Sequence, residues 1–250
     1  MKHLQPSHRI HHLGVGAGIY KNLRYLIATI VIVVLPFLFF LVFSKVASLS
    51  TKDLFVDLFI SMARLFFSYI IAVTLGWLMA VKFYKGKGSA VALPFFDVMQ
   101  SFPTFALLPL LSLVWGKSEF TIMFFLVITI IWPIFFTIVS QLKLLKSEWQ
   151  EMITIYKISG WHYFRYYLWP ASLPGLITGS IIGLGEGWEA LVATEIIVDH
   201  PIGLGNFFKN NSNQGIITAV GIFGLLLLIF CINKLIWLPL LEWSHRRSEE

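Results

Sequence analysis

The chain has 250 residues, 57% of them hydrophobic and 13% charged, with 23 phenylalanines and a formal net charge of +6. A soluble domain is nearer about 45–50% apolar and about 25% charged. Charges here cluster between apolar runs of about 18 residues or more, the length that crosses a bilayer, which excludes disorder, nucleic-acid binding and a small secreted disulfide scaffold.

Residues 1–24 form a polar, basic segment holding His3, His8, His11 and His12. No further ligands accompany these histidines, so they read as a solvated tail and no metal site is expected. Gly14, Gly16 and Gly18 follow no strand, so they read as a flexible lead-in and not as a dinucleotide fingerprint. The first apolar span covers 25–43. Val46-Ala47-Ser48 loosely resembles a cleavage site, but the apolar stretch is too long for a signal-peptide core, so a retained span is expected.

The second span covers 61–81, with Arg64 near its start. The third, 91–114, is interrupted by Pro94, Pro103 and Pro109, and the fourth covers 120–139. The stretch 140–169 is the largest polar connection. Within it Ser147 can cap a short helix, Glu148 and Glu151 suit its first turn, and Met152, Ile155 and Tyr156 form an apolar stripe. Ser159-Gly160 offers a stop, and an aromatic piece follows over 161–169. Residue types alone leave this segment either an interfacial anchor or a partner-binding helix.

The fifth span covers 170–198 and the sixth 216–238. In the fifth, Gly175, Gly179, Gly183 and Gly187 recur every fourth residue, a spacing that lets a helix approach closely, within one subunit or across a dimer axis. The same span carries Glu186, Glu189 and Glu195. Charges at membrane depth are costly and by default face a cavity or a partner. Glu186 and Glu189 fall on one helix face near mid-span, and Glu195 falls opposite, at a depth where it can meet Arg64. Cys231, the single cysteine, lies in the sixth span and forbids an internal disulfide.

Lysines and arginines set the sidedness. Thirteen lie in 1–24, after spans two and four, and in the tail 241–250; four lie on the other side. The positive-inside rule then places both termini in the cytoplasm. The expected fold is an all-α polytopic bundle of about six transmembrane helices. One transmembrane domain covers 25–240, with a cytoplasmic loop at 140–169.

The run 151–174 resembles the EAA loop of membrane-spanning permease subunits of binding-protein-dependent ATP-binding cassette importers. Glu151, Pro170 and Pro174 stand at the family spacings, and Ser159, Trp161, Phe164, Arg165 and Leu173-Pro174-Gly175 also match. Gln100-Ser101-Phe102-Pro103-Thr104, Leu107-Leu108-Pro109 and Trp115-Gly116 resemble the nitrate/sulfonate/bicarbonate (taurine) branch, as does Ala193-Thr194-Glu195. The resemblance covers residues 54–245. Met152 and Ile153 replace the two alanines, and Lys157 replaces the glycine, with Gly160 three residues later. Either the turn has moved to Ser159-Gly160 or the helix runs on through Lys157.

The resemblance implies a permease of the plasma (inner) membrane. It implies a homodimer that carries a small solute from an extracytoplasmic binding protein and is driven by a separate ATP-binding cassette ATPase. Glu151, Tyr156, Lys157, Ser159 and Gly160 would couple to that ATPase. Gln100, Ser101, Thr104, Glu186 and Glu189 are pathway candidates. No G-x-x-x-x-G-K-[ST] run occurs, so ATP and Mg would sit on the partner and this chain would bind no cofactor. Two carboxylates in the pathway favour a cationic or neutral nitrogenous solute over an anion. The alternatives are a permease of another transporter class, or a membrane enzyme using Glu186 and Glu189 as an acid/base pair.

Overall fold

The computed structural model describes residues 14–144, 153, 155–157 and 159–249. The N-terminal histidines, Ser147, Glu148, Glu151 and Met152 lie outside them. All described elements are helical: α1 (Gly14–Val46), α2 (Thr51–Phe83), α3 (Lys87–Ser101), α4 (Thr104–Trp115), α5 (Glu119–Lys143), α6 (Gly160–Tyr163), α7 (Trp169–Val198), α8 (Leu204–Asn210), α9 (Gly215–Ile232) and α10 (Leu238–Glu249). Backbone groups have no water to bond in a bilayer, and helices satisfy them internally.

Among the described residues, four stretches are long and apolar enough to cross a membrane: Thr29–Val46, Thr51–Phe83, Glu119–Lys143 and Gly215–Ser244. The pair α3 and α4 makes a fifth, and α7 is a further helix of spanning length, 30 residues, with three glutamates along it. Three expectations change in detail. The glycines from Gly14 are helical and not a loose lead-in. The second span begins ten residues earlier than its apolar core, at Thr51, where Ser50 caps it by accepting from the Asp53 N–H. The third span is not straight: α3 and α4 meet at 80°. Phe102 is extended there because the ring of Pro103 disfavours the helical conformation of the residue before it.

The centre of the bundle is α5, packed between α2 and α7. Ile122, Leu126, Ile130, Ile134 and Ile138 are fully buried on it. Lipid supplies little hydrophobic drive between helices, so close van der Waals contact must supply the attraction. The glycine ridge of α7 provides it. A Cβ on Gly175 would stand 2.7 Å from the Thr137 carbonyl oxygen, and one on Gly179 2.6 Å from the Ile134 Cα. A Cβ on Gly183 or Gly187 would press on Ile130. All four glycines therefore face α5 of the same chain.

Two ends follow from this layout. At one lie the start of α1, the end of α10, the α2–α3 turn and the described residues of 153–163. At the other lie the turns 47–50 and 116–118 and the segment 199–214.

Candidate functional site

At the second end, a polar cluster ties α2, α5, α7 and residues 199–205 together. Arg64 is 4% exposed and Glu195 1% exposed. The Arg64 Nη1 donates to Glu195 Oε1 at 2.6 Å and to the Ile202 carbonyl at 2.8 Å. Its Nε and Nη2 clasp the two oxygens of Glu119, both at 2.6 Å, and Nη2 also meets His200 Nδ1 at 2.9 Å. The five N–H donors of the guanidinium are thus all used. His200 Nδ1 accepts in this arrangement, which places the imidazole proton on Nε2, 3.3 Å from Glu119 Oε1.

Glu195 also accepts from the Ser61 hydroxyl and from the Gly205 N–H at 2.8 Å. Ser61 Oγ accepts from the Leu204 N–H, and Asp57 accepts from the Gly203 N–H. Side chains of α2 and α7 therefore satisfy the N–H groups that open α8 and that no helical carbonyl can reach. The local sequence permits this because residues 203 and 205 are glycine. Gly203 has φ +139°, and a Cβ there would stand 2.6 Å from the Glu195 carboxylate. A Cβ on Gly205 would stand 2.4 Å from the Glu195 Cβ. With the donors of Arg64 all engaged, the cluster holds the helices together. Beside it, Asp199 bonds Lys117 at 2.6 Å and also Lys209. These two ammonium groups hold its carboxyl down at about 2.

The pathway candidates lie elsewhere. Glu186 and Glu189 sit on an exposed face of α7 with Thr178, Ile182 and Gly185. Neither makes an ion pair among the described residues. Gln100 and Ser101 are exposed at the end of α3, where Ser101 bonds the Asp97 carbonyl, and Thr104 opens α4 half-buried. No hydrogen bond joins these three to the two glutamates.

At the first end, Ile153 packs against the core, while Ile155, Tyr156 and Trp161 are strongly exposed. Lys157 adopts φ +48° and Gly160 φ +61°, so the helix does not run on through Lys157. Both positions turn, although a side chain in the left-handed region costs about 1–2 kcal/mol. Ser159 between them is extended. The aromatic piece that follows is fastened to α2. The Tyr163 and Tyr84 hydroxyls meet at 2.7 Å, and Lys85 Nζ donates to Tyr163 at 3.1 Å. Burial pushes the Tyr84 phenol up to about 12, so it keeps its proton at neutral pH. Phe164 stands edge-on to Trp77, whose Nε1 donates to Ser172.

Sequence reasoning paired Arg64 with Glu195 but named none of Ser61, Asp57, Glu119, His200, Gly203 or Gly205. The Gly-Leu-Gly at 203–205, just beyond a buried-face glutamate, was the available signal.

Known proteins show the same pattern of likeness. The family model described as "Binding-protein-dependent transport system inner membrane component" matches residues 72–238. The chain is 30% identical over 184 residues to a nitrate import permease protein of Synechocystis sp., covering 70% of this chain and 66% of that one. It is 26% identical over 184 residues to a bicarbonate transport system permease protein of Synechococcus elongatus, again covering 70% and 66%. It is 27% identical over 104 residues to a taurine transport system permease protein of Escherichia coli, covering 42% and 38%. The chain thus spans just under two thirds of the length of the nitrate and bicarbonate relatives.

Proposed function

The chain belongs to the family of binding-protein-dependent transport system inner membrane components, and from that premise we propose that it forms the translocation pathway of an ATP-driven importer. Two copies assemble, with both termini in the cytoplasm. A binding protein delivers a small solute at the end that carries 199–214. A separate ATPase, which holds ATP and Mg, docks at the end that carries 151–164. Thirteen basic residues against four support that orientation.

One observation carries the coupling role. Ile155, Tyr156 and Trp161 expose apolar surface outside the spans, on a segment that Tyr163 and Phe164 fasten to α2. An amphipathic turn of this kind suits a groove on a partner, with its aromatics as anchors. Closure of the ATPases would pull on this segment and, through Tyr84 and Trp77, on α2 and α7. Glu151 and Lys157 would supply charged contacts to the ATPase.

The relatives' names speak of nitrate, bicarbonate and taurine, and those solutes belong to the relatives. Here Glu186 and Glu189, exposed on α7 and without an ion pair among the described residues, favour a cationic or neutral nitrogenous solute. Co-purification of the tagged chain tests both statements. An ATPase and a binding protein are expected to accompany it, with the ATPase lost in Glu151→Lys and a nitrogenous solute in the binding protein's cleft. Retention of the ATPase by Glu151→Lys would contradict the coupling role, and an inorganic anion in the cleft would contradict the solute class.

A further inference from the structure

The foot of α7 and the last helix enclose a pocket that none of these roles uses. Its volume is about 340 Å³, and its lining includes Arg165, Trp169, Pro170, Pro174, Trp243 and Ser244. One wall begins in the π turn Phe164–Leu168 that leads into α7, and the other follows the π turn Asn233–Trp237 that leads into α10.

Ser244 is 3% exposed, and its hydroxyl has no hydrogen-bond partner among the described residues. The buried helical hydroxyls of Ser44, Thr129, Ser172, Ser180 and Thr194 each donate to a carbonyl three or four residues earlier. Ser244 does not, and a buried hydroxyl without a partner is costly. Arg165, on the same pocket, makes no ion pair among the described residues. A cation and an unsatisfied donor thus border one cavity, and among the described residues no carboxylate lines it.

We propose that this pocket holds the headgroup phosphate of an anionic phospholipid. The planar guanidinium of Arg165 pairs with two phosphate oxygens, and Ser244 Oγ donates to one of them. Trp169 and Trp243 take the headgroup level, where tryptophan collects in membrane proteins, and the prolines face the first acyl carbons. The largely apolar wall at the end of a spanning helix favours a lipid over a soluble phosphate. Only the choice of the cytoplasmic leaflet rests on the orientation proposed above; the site itself needs no transport activity.

Native mass spectrometry of the full chain, titrated with phosphatidylglycerol, tests this without a transport readout. Arg165→Ala should weaken the first bound lipid about tenfold, and Ser244→Ala by several-fold, since charge-assisted hydrogen bonds are the stronger kind. Phosphatidylcholine should bind all three proteins weakly and alike. Ser244→Ala removes one oxygen from a helix, so it carries the test even where Arg165→Ala does not fold. Equal phosphatidylglycerol binding by the wild type and Ser244→Ala would overturn the site. Displacement of the lipid by millimolar inorganic phosphate would overturn the lipid as its source.

Discussion

Arg64 gathers groups that lie 55 to 138 residues away in sequence. Removing it leaves Glu195 buried without a counter-charge, and breaking a buried ion pair in this way costs about 3–5 kcal/mol. Arg64→Ala should therefore unfold at much lower denaturant than the wild type, and a loss under about 1 kcal/mol would contradict the role given to the cluster. Asp199 makes a pH-dependent contribution. Its folded value of about 2 lies below the usual carboxyl value of about 3.9, so its stabilisation is present above about pH 4 and fades as pH falls towards 2. Asp199→Asn keeps the left-handed backbone at φ +59° tolerable while removing the charge. Thermal unfolding should show a small deficit for this variant at pH 7 that shrinks between pH 4 and 2 and in high salt. The Arg64–Glu195 pair was legible because matched depth and opposite charge suffice to suggest it. Glu119 and His200 were not, because Glu119 opens α5 directly after a turn and His200 sits in a connection, and where each ends up depends on how the helices already pack.

At the scale of elements, the four-residue glycine spacing announced a close contact but could not name its partner. The backbone of α5 supplies it, since Thr137 and Ile134 already occupy the space beside Gly179. Gly179→Ala should destabilise the fold by about 1–3 kcal/mol or more through overpacking. Gly185→Ala, on the outward face with nothing within 4 Å, should be nearly neutral. Equal effects of the two in a thermal-unfolding assay would contradict the packing. The broken third span shows a similar limit. Pro103 marked an interruption, but an 80° bend depends on how α4 lies on α5, where Phe105 and Phe125 rings meet at 5.4 Å. Lys157 shows the converse. Backbone propensity argued against a left-handed lysine, and the fold imposes one, because Ile153 is anchored in the core while Tyr163 is held by Tyr84.

Across the whole molecule, hydropathy carried most of the architecture, since a bilayer allows few solutions. Function came from spacing in one connection, and the family match over residues 72–238 supports it. The molecule has a paired, closed cluster at one end and an exposed aromatic segment at the other. The most direct test reconstitutes the chain in liposomes with its co-purifying ATPase and binding protein, and follows ATP hydrolysis. Hydrolysis should require the partner ATPase and rise when loaded binding protein is added. Hydrolysis that ignores the binding protein, or turnover of a substrate by the chain alone without ATP, would contradict the account.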